Sequence, residues 1–158
     1  MISLSRTALK MITDAAEAAY PRECCGLLAG RIGANGDLMV DRVVVSANVS
    51  TSDTRDSFEV DPEVRFGLMR ELEEAGTGER IIGHYHSHPN NLAHPSERDL
   101  AMAYEPDLVW VISAVEGGTA TDTRAHKVND DATAFREIPL CVTGSAPYAS
   151  ALKTTTTE

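Results

Sequence analysis

The chain has 158 residues, of which 42% are hydrophobic, and this length suffices for one compact domain with its own core. Its 24 acidic residues outnumber 14 basic ones and give a formal net charge of -10. Nucleic acids and anionic membranes both attract positive surfaces, so this balance argues against either as the main partner. The sequence leaves the oligomeric state open.

The cysteines give an expectation about the cellular compartment. Cys24 and Cys25 are adjacent, and neighbouring residues of an extended chain point to opposite faces, so a bridge between them is not expected. With Cys141 the number is odd. The N-terminal segment also lacks a basic region followed by an apolar run. We therefore expect a reducing, cytoplasmic environment.

The first half of the chain predicts a helix followed by a β-hairpin. Ser5 can cap a helix whose apolar residues recur at helical spacing. After Pro21 ends it, the apolar run 25–30 predicts a buried strand. Asn35-Gly36 is a hairpin turn signal, and the valine-rich segment 38–46 predicts the partner strand.

The second half alternates helices with strands. In order, it predicts a loop at 47–56, a short strand at 57–60, a helix begun by Asp61 and Pro62, a strand at 80–86, a helix from Ser96 to near Pro106, a central strand at 108–115, and outer strands at 119–128 and 133–140. This alternation predicts an α/β domain with one mixed sheet over residues 1–140. Residues 141–158 are expected to be a partly disordered C-terminal extension.

The sequence His86-Ser-His88-Pro predicts a metal-binding site. Residues two apart in a strand project to the same face, so both histidines can reach one ion where the strand ends. Asp99, near the start of the next helix, could complete a set of three ligands. Catalytic zinc sites have three protein ligands and one open position, whereas structural sites close with four and favour cysteine. The motif therefore predicts a zinc hydrolase, and an amide bond is the expected substrate.

Each part of this pattern also has a purely structural interpretation. A lone His-x-His is often a surface pair, and Ser96-Glu-Arg-Asp99 is a helix capping box. Capping and metal binding are compatible, because the helix start would fix the direction of Asp99. Glu23 alone indicates an exposed residue after a helix, and spacing does not single it out among the acids. His84 shares the strand parity but is predicted to be a core or rim residue.

Four segments together resemble the JAMM (MPN+) metallopeptidases over about residues 1–140. They are Pro21-Arg-Glu23-Cys-Cys25-Gly, Phe58-Glu-Val-Asp61-Pro62, Gly83-His-Tyr-His86-Ser-His88-Pro89 and Pro95-Ser96-Glu-Arg-Asp99. The spacing of the two histidines, the serine and the aspartate is highly specific. The resemblance implies a cytidine-deaminase-like α/β fold, in which helices flank a central mixed sheet.

The resemblance also implies a role for each site residue. His86, His88 and Asp99 match the ligands of one Zn²⁺ per chain. Glu23 matches the general acid/base that takes a proton from the attacking water and passes it to the leaving amine. Ser96 matches the residue that donates a hydrogen bond to the oxyanion.

Compact single-domain members from prokaryotes are most similar to this chain, which implies a ubiquitin-like or sulfur-carrier protein with a Gly-Gly tail as the partner. We expect segment 47–60 to present an edge that recognises the tail through main-chain hydrogen bonds. Two other functions remain open. A non-catalytic MPN-type binding scaffold would usually lack part of the ligand set, and a nucleobase deaminase is disfavoured because the chain has no Pro-Cys-x-x-Cys pair.

Overall fold

The computed structural model describes residues 1–144, which build one eight-stranded mixed sheet with helices on its faces. The elements in chain order are β1 (Ile2–Ser5), α1 (Arg6–Ala19), β2 (Cys25–Ile32), β3 (Leu38–Ser46), α2 (Pro62–Ala75), β4 (Arg80–His88), α3 (Glu97–Ala101), β5 (Val109–Glu116), β6 (Thr119–Val128), β7 (Phe135–Ile138) and β8 (Leu140–Thr143). The strands lie in the order β7-β6-β5-β4-β2-β3-β1-β8. This confirms the predicted α/β fold with a central mixed sheet flanked by helices.

The middle of the sheet combines hairpins with parallel pairs. β2 is antiparallel to both β3 and β4, while β4 is parallel to β5. β6 and β7 continue the antiparallel pairing on one side. On the other side β1 pairs in parallel with β3 and with β8. β4 therefore lies in the interior of the sheet, and its last residue, His88, lies where the strand ends.

Helices α1 and α2 begin and end where the local sequence directs them. The Ser5 hydroxyl accepts a hydrogen bond from the backbone N–H of Ala8 at 3.0 Å, which caps α1. Asp61 caps α2 by accepting from the Glu63 N–H at 3.0 Å. Gly76 ends that helix with a φ of 62°, a left-handed conformation that glycine adopts without steric cost.

Two apolar clusters attach these helices to the sheet. From α1, Ile12 and Ala16 are fully buried and belong to the larger cluster. From α2, Leu68 and Leu72 pack with Leu27 of β2 in the second cluster. Burying these side chains stabilises the fold by about 25 cal/mol per Å² of apolar surface. The helices thus hold the sheet rigid beneath the residues that β4 presents at its end.

The structure differs from the sequence prediction at strand β1, at helix α3 and at segment 57–60. Strand β1 was not predicted, although its Ile-Ser-Leu-Ser sequence alternates and Ile2 is fully buried. Helix α3 has only five residues and ends at Ala101, well before Pro106. Pro106 disfavours helical conformation only in Glu105, so it does not set this end. The C-cap of the helix is instead Met102, whose N–H still donates to the carbonyls of Arg98 and Asp99. The predicted strand at 57–60 is reduced to a single bridge between Asn48 and Val60.

The end of the described region crosses the predicted domain boundary at residue 140. β8 runs through that position to Thr143 and pairs with β1. The rest of the predicted C-terminal extension lies outside residues 1–144. Among the described residues, none of the helices combines the length and the apolar character that crossing a membrane requires.

Candidate metal centre

The antiparallel pairing of β2 with β4 brings Glu23 to the predicted histidines. Two hydrogen bonds join Cys24 to Ser87. The Ser87 N–H donates to the Cys24 carbonyl at 3.2 Å, and the Ser87 hydroxyl accepts from the Cys24 N–H at 2.8 Å. The β2–β4 pairing ends at Cys25 and His86, and continuing its register by two residues brings Glu23 towards His88. The ligand atoms of Glu23, His86 and His88 lie within 4.8 Å of one another. A contact across 63 residues of sequence therefore assembles this corner of the site.

The three predicted ligands each bring one atom to the same point. The Nε2 atoms of His86 and His88 are 3.0 Å apart, and they lie 3.2 and 3.1 Å from Oδ2 of Asp99. Atoms that bind one tetrahedral zinc ion at 2.0–2.1 Å would be separated by about 3.3 Å. None of the three residues is more than 5% exposed. The arrangement therefore fits a small divalent cation.

Neighbouring groups fix the orientation of both imidazole rings. Nδ1 of His88 donates to the carbonyl oxygen of Leu92 at 2.7 Å, which leaves the lone pair on Nε2 for a cation. The ring of Phe58 stacks on His86, with centroids 4.2 Å apart and an angle of 17° between the planes. Both rings are therefore held with Nε2 facing the carboxylate, as a metal site requires.

Ser96 and Asp99 form the predicted capping box. The Ser96 hydroxyl accepts from the Asp99 N–H at 3.0 Å, and the Ser96 N–H donates to Oδ2 of Asp99 at 2.8 Å. The carboxylate that caps the helix is thus the one that faces the histidines, so capping and metal binding are compatible here. The bond from Asp99 uses a lone pair of the Ser96 hydroxyl, whose hydrogen stays free for another acceptor.

Glu23 is buried, so its interpretation as an exposed residue after a helix is wrong. Only 4% of its surface is exposed. The Glu23 N–H donates to the Thr54 carbonyl at 2.7 Å, and its own carbonyl accepts from the Asn48 side chain at 3.0 Å. Within residues 1–144, Oε1 is a buried oxygen without a hydrogen-bond partner. Burial raises the pKa of Glu23 to about 8, although His88 acts in the opposite direction.

The charges of the three convergent side chains depend on one another. Burial opposes ionisation of Asp99, but His86 and hydrogen bonds from both histidines hold its pKa well below the usual range. Burial also works against a charge on His88, yet Asp99 raises the pKa of that ring. The pKa of His86 is lowered by burial. Because protons compete with a cation for these atoms, metal affinity is expected to fall in acid.

Two small clefts open beside these residues. One has a volume of about 170 Å³ and reaches Glu23, His88 and Ser96. The other, of about 240 Å³, reaches Asp99. Segment 47–60 forms part of both walls, through Arg55 and Asp56 in the first and through its serines and Phe58 in the second. The segment predicted to present an edge therefore borders the candidate site, although only one β-bridge forms within it.

A larger apolar cleft of about 520 Å³ lies on the far side of Phe58. It shares Phe58, Glu59 and Met102 with the cleft that reaches Asp99. His84 lines this apolar cleft, and its ring lies edge-on to Trp110 with centroids 4.3 Å apart. His84 is therefore a rim residue, as predicted, and is not among the three convergent ligands.

Sequence reasoning missed residues that hold the site in place. Phe58 occurs in a segment of the family resemblance, but its stacking on His86 was not predicted. Asn48 gave only the weak signal of an asparagine in a polar loop. Its side chain donates to the carbonyls of Glu23 and Ser57 and accepts from the N–H groups of Ser50 and Glu59. It thereby replaces the strand ladder expected at 57–60.

Comparison with known proteins gives a consistent result. Residues 5–128 match the family described as prokaryotic homologs of the JAB domain. A desampylase from Haloferax volcanii is 32% identical over 125 residues, which are 77% of this chain and 79% of that protein. The CysO-cysteine peptidase of Mycobacterium tuberculosis is 29% identical over 113 residues, 72% of this chain and 73% of its own. The solution structure of a protein from Desulfitobacterium hafniense is 26% identical, with a TM-score of 0.78 over 94% of this chain and 97% of that one.

Proposed function

The chain belongs to the family of prokaryotic homologs of the JAB domain, and we propose that it is a zinc-dependent peptidase or isopeptidase acting at the C-terminal tail of a ubiquitin-like or sulfur-carrier protein. One observation carries the proposal: a buried carboxylate oxygen of Glu23, which has no hydrogen-bond partner among residues 1–144, lies near the two histidines whose Nε2 atoms converge with Asp99. Amide hydrolysis needs a proton acceptor at such a place. The names desampylase and peptidase, borne by relatives, support the same class of reaction.

His86, His88 and Asp99 are the residues that would hold one catalytic zinc ion per chain. Two imidazoles and one carboxylate form a donor set that zinc accepts, and three protein ligands are typical of catalytic rather than structural zinc sites. The bound ion would supply a Lewis acid that polarises the amide carbonyl and lowers the pKa of water. Phe58 and the Leu92 carbonyl would keep the two rings in position.

Glu23 is the proposed general acid and base. Its Oε1 accepts the proton of the attacking water while the new C–O bond forms. The same proton then passes to the nitrogen of the leaving amine as the C–N bond breaks, so the carboxylate returns to its starting state. Burial raises the pKa of Glu23 to about 8, and a pKa near the working pH favours both halves of this transfer.

Ser96 is the proposed donor to the oxyanion. Its hydroxyl lies at the cleft that also reaches Glu23 and His88. Because the helix cap occupies only a lone pair of this oxygen, the O–H can point to the negative oxygen that develops on the carbonyl. The backbone bond to Asp99 fixes the position of Ser96 before substrate arrives.

Segment 47–60 is our candidate wall for the substrate tail. It lines both small clefts, so an extended chain that passes from one to the other would run along it. Glycines offer no side chains, so a Gly-Gly tail has to be recognised through its main chain. We propose that the folded body of the carrier rests on the apolar cleft, which shares Phe58 and Met102 with the small cleft that reaches Asp99.

A cleavage assay with the zinc-loaded full-length chain tests this proposal. Carrier proteins extended beyond Gly-Gly are incubated with it, and mass spectrometry detects loss of the extension. Glu23→Gln should keep zinc and fold but slow cleavage by about 10²- to 10⁴-fold. Glu97→Gln is the matched control, because Glu97 is an exposed acid on α3 that lines neither of the two small clefts.

Two outcomes would contradict parts of the proposal. Cleavage by Glu23→Gln at the parent rate would exclude Glu23 as the proton carrier. A chain that retains no metal after zinc is added back, and that cleaves none of the carriers, would favour the non-catalytic MPN-type scaffold.

A further inference from the structure

A second group of metal-ligating side chains borders the loop that joins β4 to α3, and its loop member, His94, also lines the small cleft that reaches Glu23. His94 belongs to that loop, His126 to β6 and Glu137 to β7. One ligand atom from each lies within 4.8 Å of the other two. The proposed hydrolysis uses none of these residues, so their convergence needs a separate explanation.

The fold fixes two of the three side chains relative to each other. His126 and Glu137 are directly opposite in the antiparallel pair of β6 and β7, which places their Cβ atoms about 4.5–5.5 Å apart on one face. His94 approaches from the loop, with its ring centroid 6.2 Å from that of His126. These residues border a cleft of about 450 Å³, which leaves space for water.

Hydrogen bonding prepares His126 as a ligand. The ring is only 3% exposed, and its Nε2 donates to the carbonyl oxygen of Ala93 at 2.9 Å. Nδ1 therefore carries the lone pair, as in metal-binding histidines whose other nitrogen bonds a backbone carbonyl. His88 bonds the Leu92 carbonyl in the same way at the catalytic centre.

We propose that His94, His126 and Glu137 form a second site for a divalent transition metal, separate from the catalytic ion. Two imidazoles and a carboxylate suit zinc, copper and nickel rather than magnesium or calcium. Arg124 already donates to Oε1 of Glu137 at 3.1 Å and would compete with the ion. The competition is weak, because this ion pair is exposed.

The second site would restrain the loop that carries Ser96. Two successive carbonyls of the loop are already held from opposite sides, Leu92 by His88 and Ala93 by His126. An ion bound by His94 would hold the loop at a third position, two residues before Ser96. Occupancy of the second site should therefore reduce the motion of this loop without contributing a ligand to the catalytic ion.

Zinc titration of the metal-free, tag-free full chain tests the assignment. Calorimetry and native mass spectrometry should show two binding events for the parent chain. His94→Ala and Glu137→Gln should weaken the second event at least about tenfold, since loss of outer contacts alone typically costs 10- to 100-fold. Both residues are exposed, so these variants should fold. Arg124→Gln should strengthen the second event.

Glu97→Gln is the matched control, because Glu97 is an exposed acid that lines the same cleft outside the cluster. It should keep both events. Hydrogen exchange of the loop should slow when the second equivalent binds. A single event that His94→Ala and Glu137→Gln leave unchanged would overturn the second site, as would a second event that both variants leave unchanged. A single event that both variants weaken would count against the catalytic ion instead. Equal loss in Glu97→Gln, or no gain in Arg124→Gln, would overturn the assignment of Glu137.

Discussion

Two neighbouring regions of the molecule, separated by Phe58, distribute polar and apolar side chains in opposite ways. At the end of β4, Glu23 is 4% exposed and His86 is fully buried. In the apolar cleft beyond Phe58, Phe66 is 63% exposed and Tyr104 is 74% exposed. Buried ionisable groups and exposed apolar surface both disfavour the folded, dispersed protein. The contrast supports the proposal that the first region serves chemistry and the second serves binding, and substitutions in each region test the two roles separately.

Removing a charged ligand from the buried region should have the largest effect. Asp99→Asn lacks the negative charge that faces two imidazoles, but its amide oxygen can still accept from the Ser96 N–H and preserve the cap. Cleavage should fall at least about a thousandfold, because a bound metal contributes several kcal/mol to the transition state. Zinc content and cleavage rate are measured together, with Glu97→Gln on the same helix as the control. A variant that keeps both zinc and activity would exclude Asp99 as a ligand.

Removing the hydroxyl of Ser96 should have the second largest effect on cleavage. Ser96→Ala removes one oxyanion donor, which typically lowers kcat by about 10²- to 10³-fold. It also removes a helix cap, which costs about 1 kcal/mol of unfolding free energy. Ser96→Thr keeps the hydroxyl and should restore both, so kcat and urea denaturation are measured for each variant. If the fall in kcat equals the fall in the folded fraction of the protein, Ser96 is a capping residue only.

Burial of Glu23 should make the unfolding free energy of the metal-free protein depend on pH. The pKa of Glu23 is raised from 4.5 to about 8, so the folded state binds this proton more tightly than the unfolded state. The stability that Glu23 contributes is complete below pH 4.5 and is lost as the pH rises towards 8. Glu23→Gln has no proton to lose there and should become the more stable protein at pH 8, by on the order of a few kcal/mol.

Urea denaturation at pH 4.5, 6 and 8 after chelation measures this difference. Glu97→Gln, at an exposed position that does not affect the pKa of Glu23, should show no such gain in stability over the parent chain at pH 8. Added zinc should reduce the difference in unfolding free energy between Glu23→Gln and the parent chain at pH 8, since a nearby cation favours the carboxylate form of Glu23. Parallel stability curves for the parent chain and Glu23→Gln would show that burial of Glu23 does not raise its pKa.

The parts of the site that sequence could predict depend on local geometry. Alternation along β4 puts His86 and His88 on one face, and the capping box directs Asp99. Glu23 depends instead on the pairing of β2 with β4, so its own segment gave no reason to prefer it to the other acids. Only the resemblance to a known family singled it out.

Contacts from distant loops account for what sequence could not predict. The stacking of Phe58 on His86 and the four hydrogen bonds of Asn48 join segments that spacing cannot relate. The length of α3 was overestimated for a related reason, since its end is set by the turn into β5 rather than by its own apolar pattern.

Changing the apolar cleft should have the smallest effect, and that effect should depend on the substrate. Phe66 projects from α2 into the cleft and is 63% exposed, so Phe66→Ser should fold normally. Loss of one aromatic anchor typically costs 1–2 kcal/mol of binding, which would raise KM for a whole carrier about tenfold. KM for a short peptide ending in the same tail should not change, because the peptide does not reach the cleft. Met11→Gln, at a 42% exposed position on α1, is the control. Equal changes in KM for carrier and peptide would mean that the cleft shapes the catalytic site itself, and the division between a chemical and a binding region would be wrong.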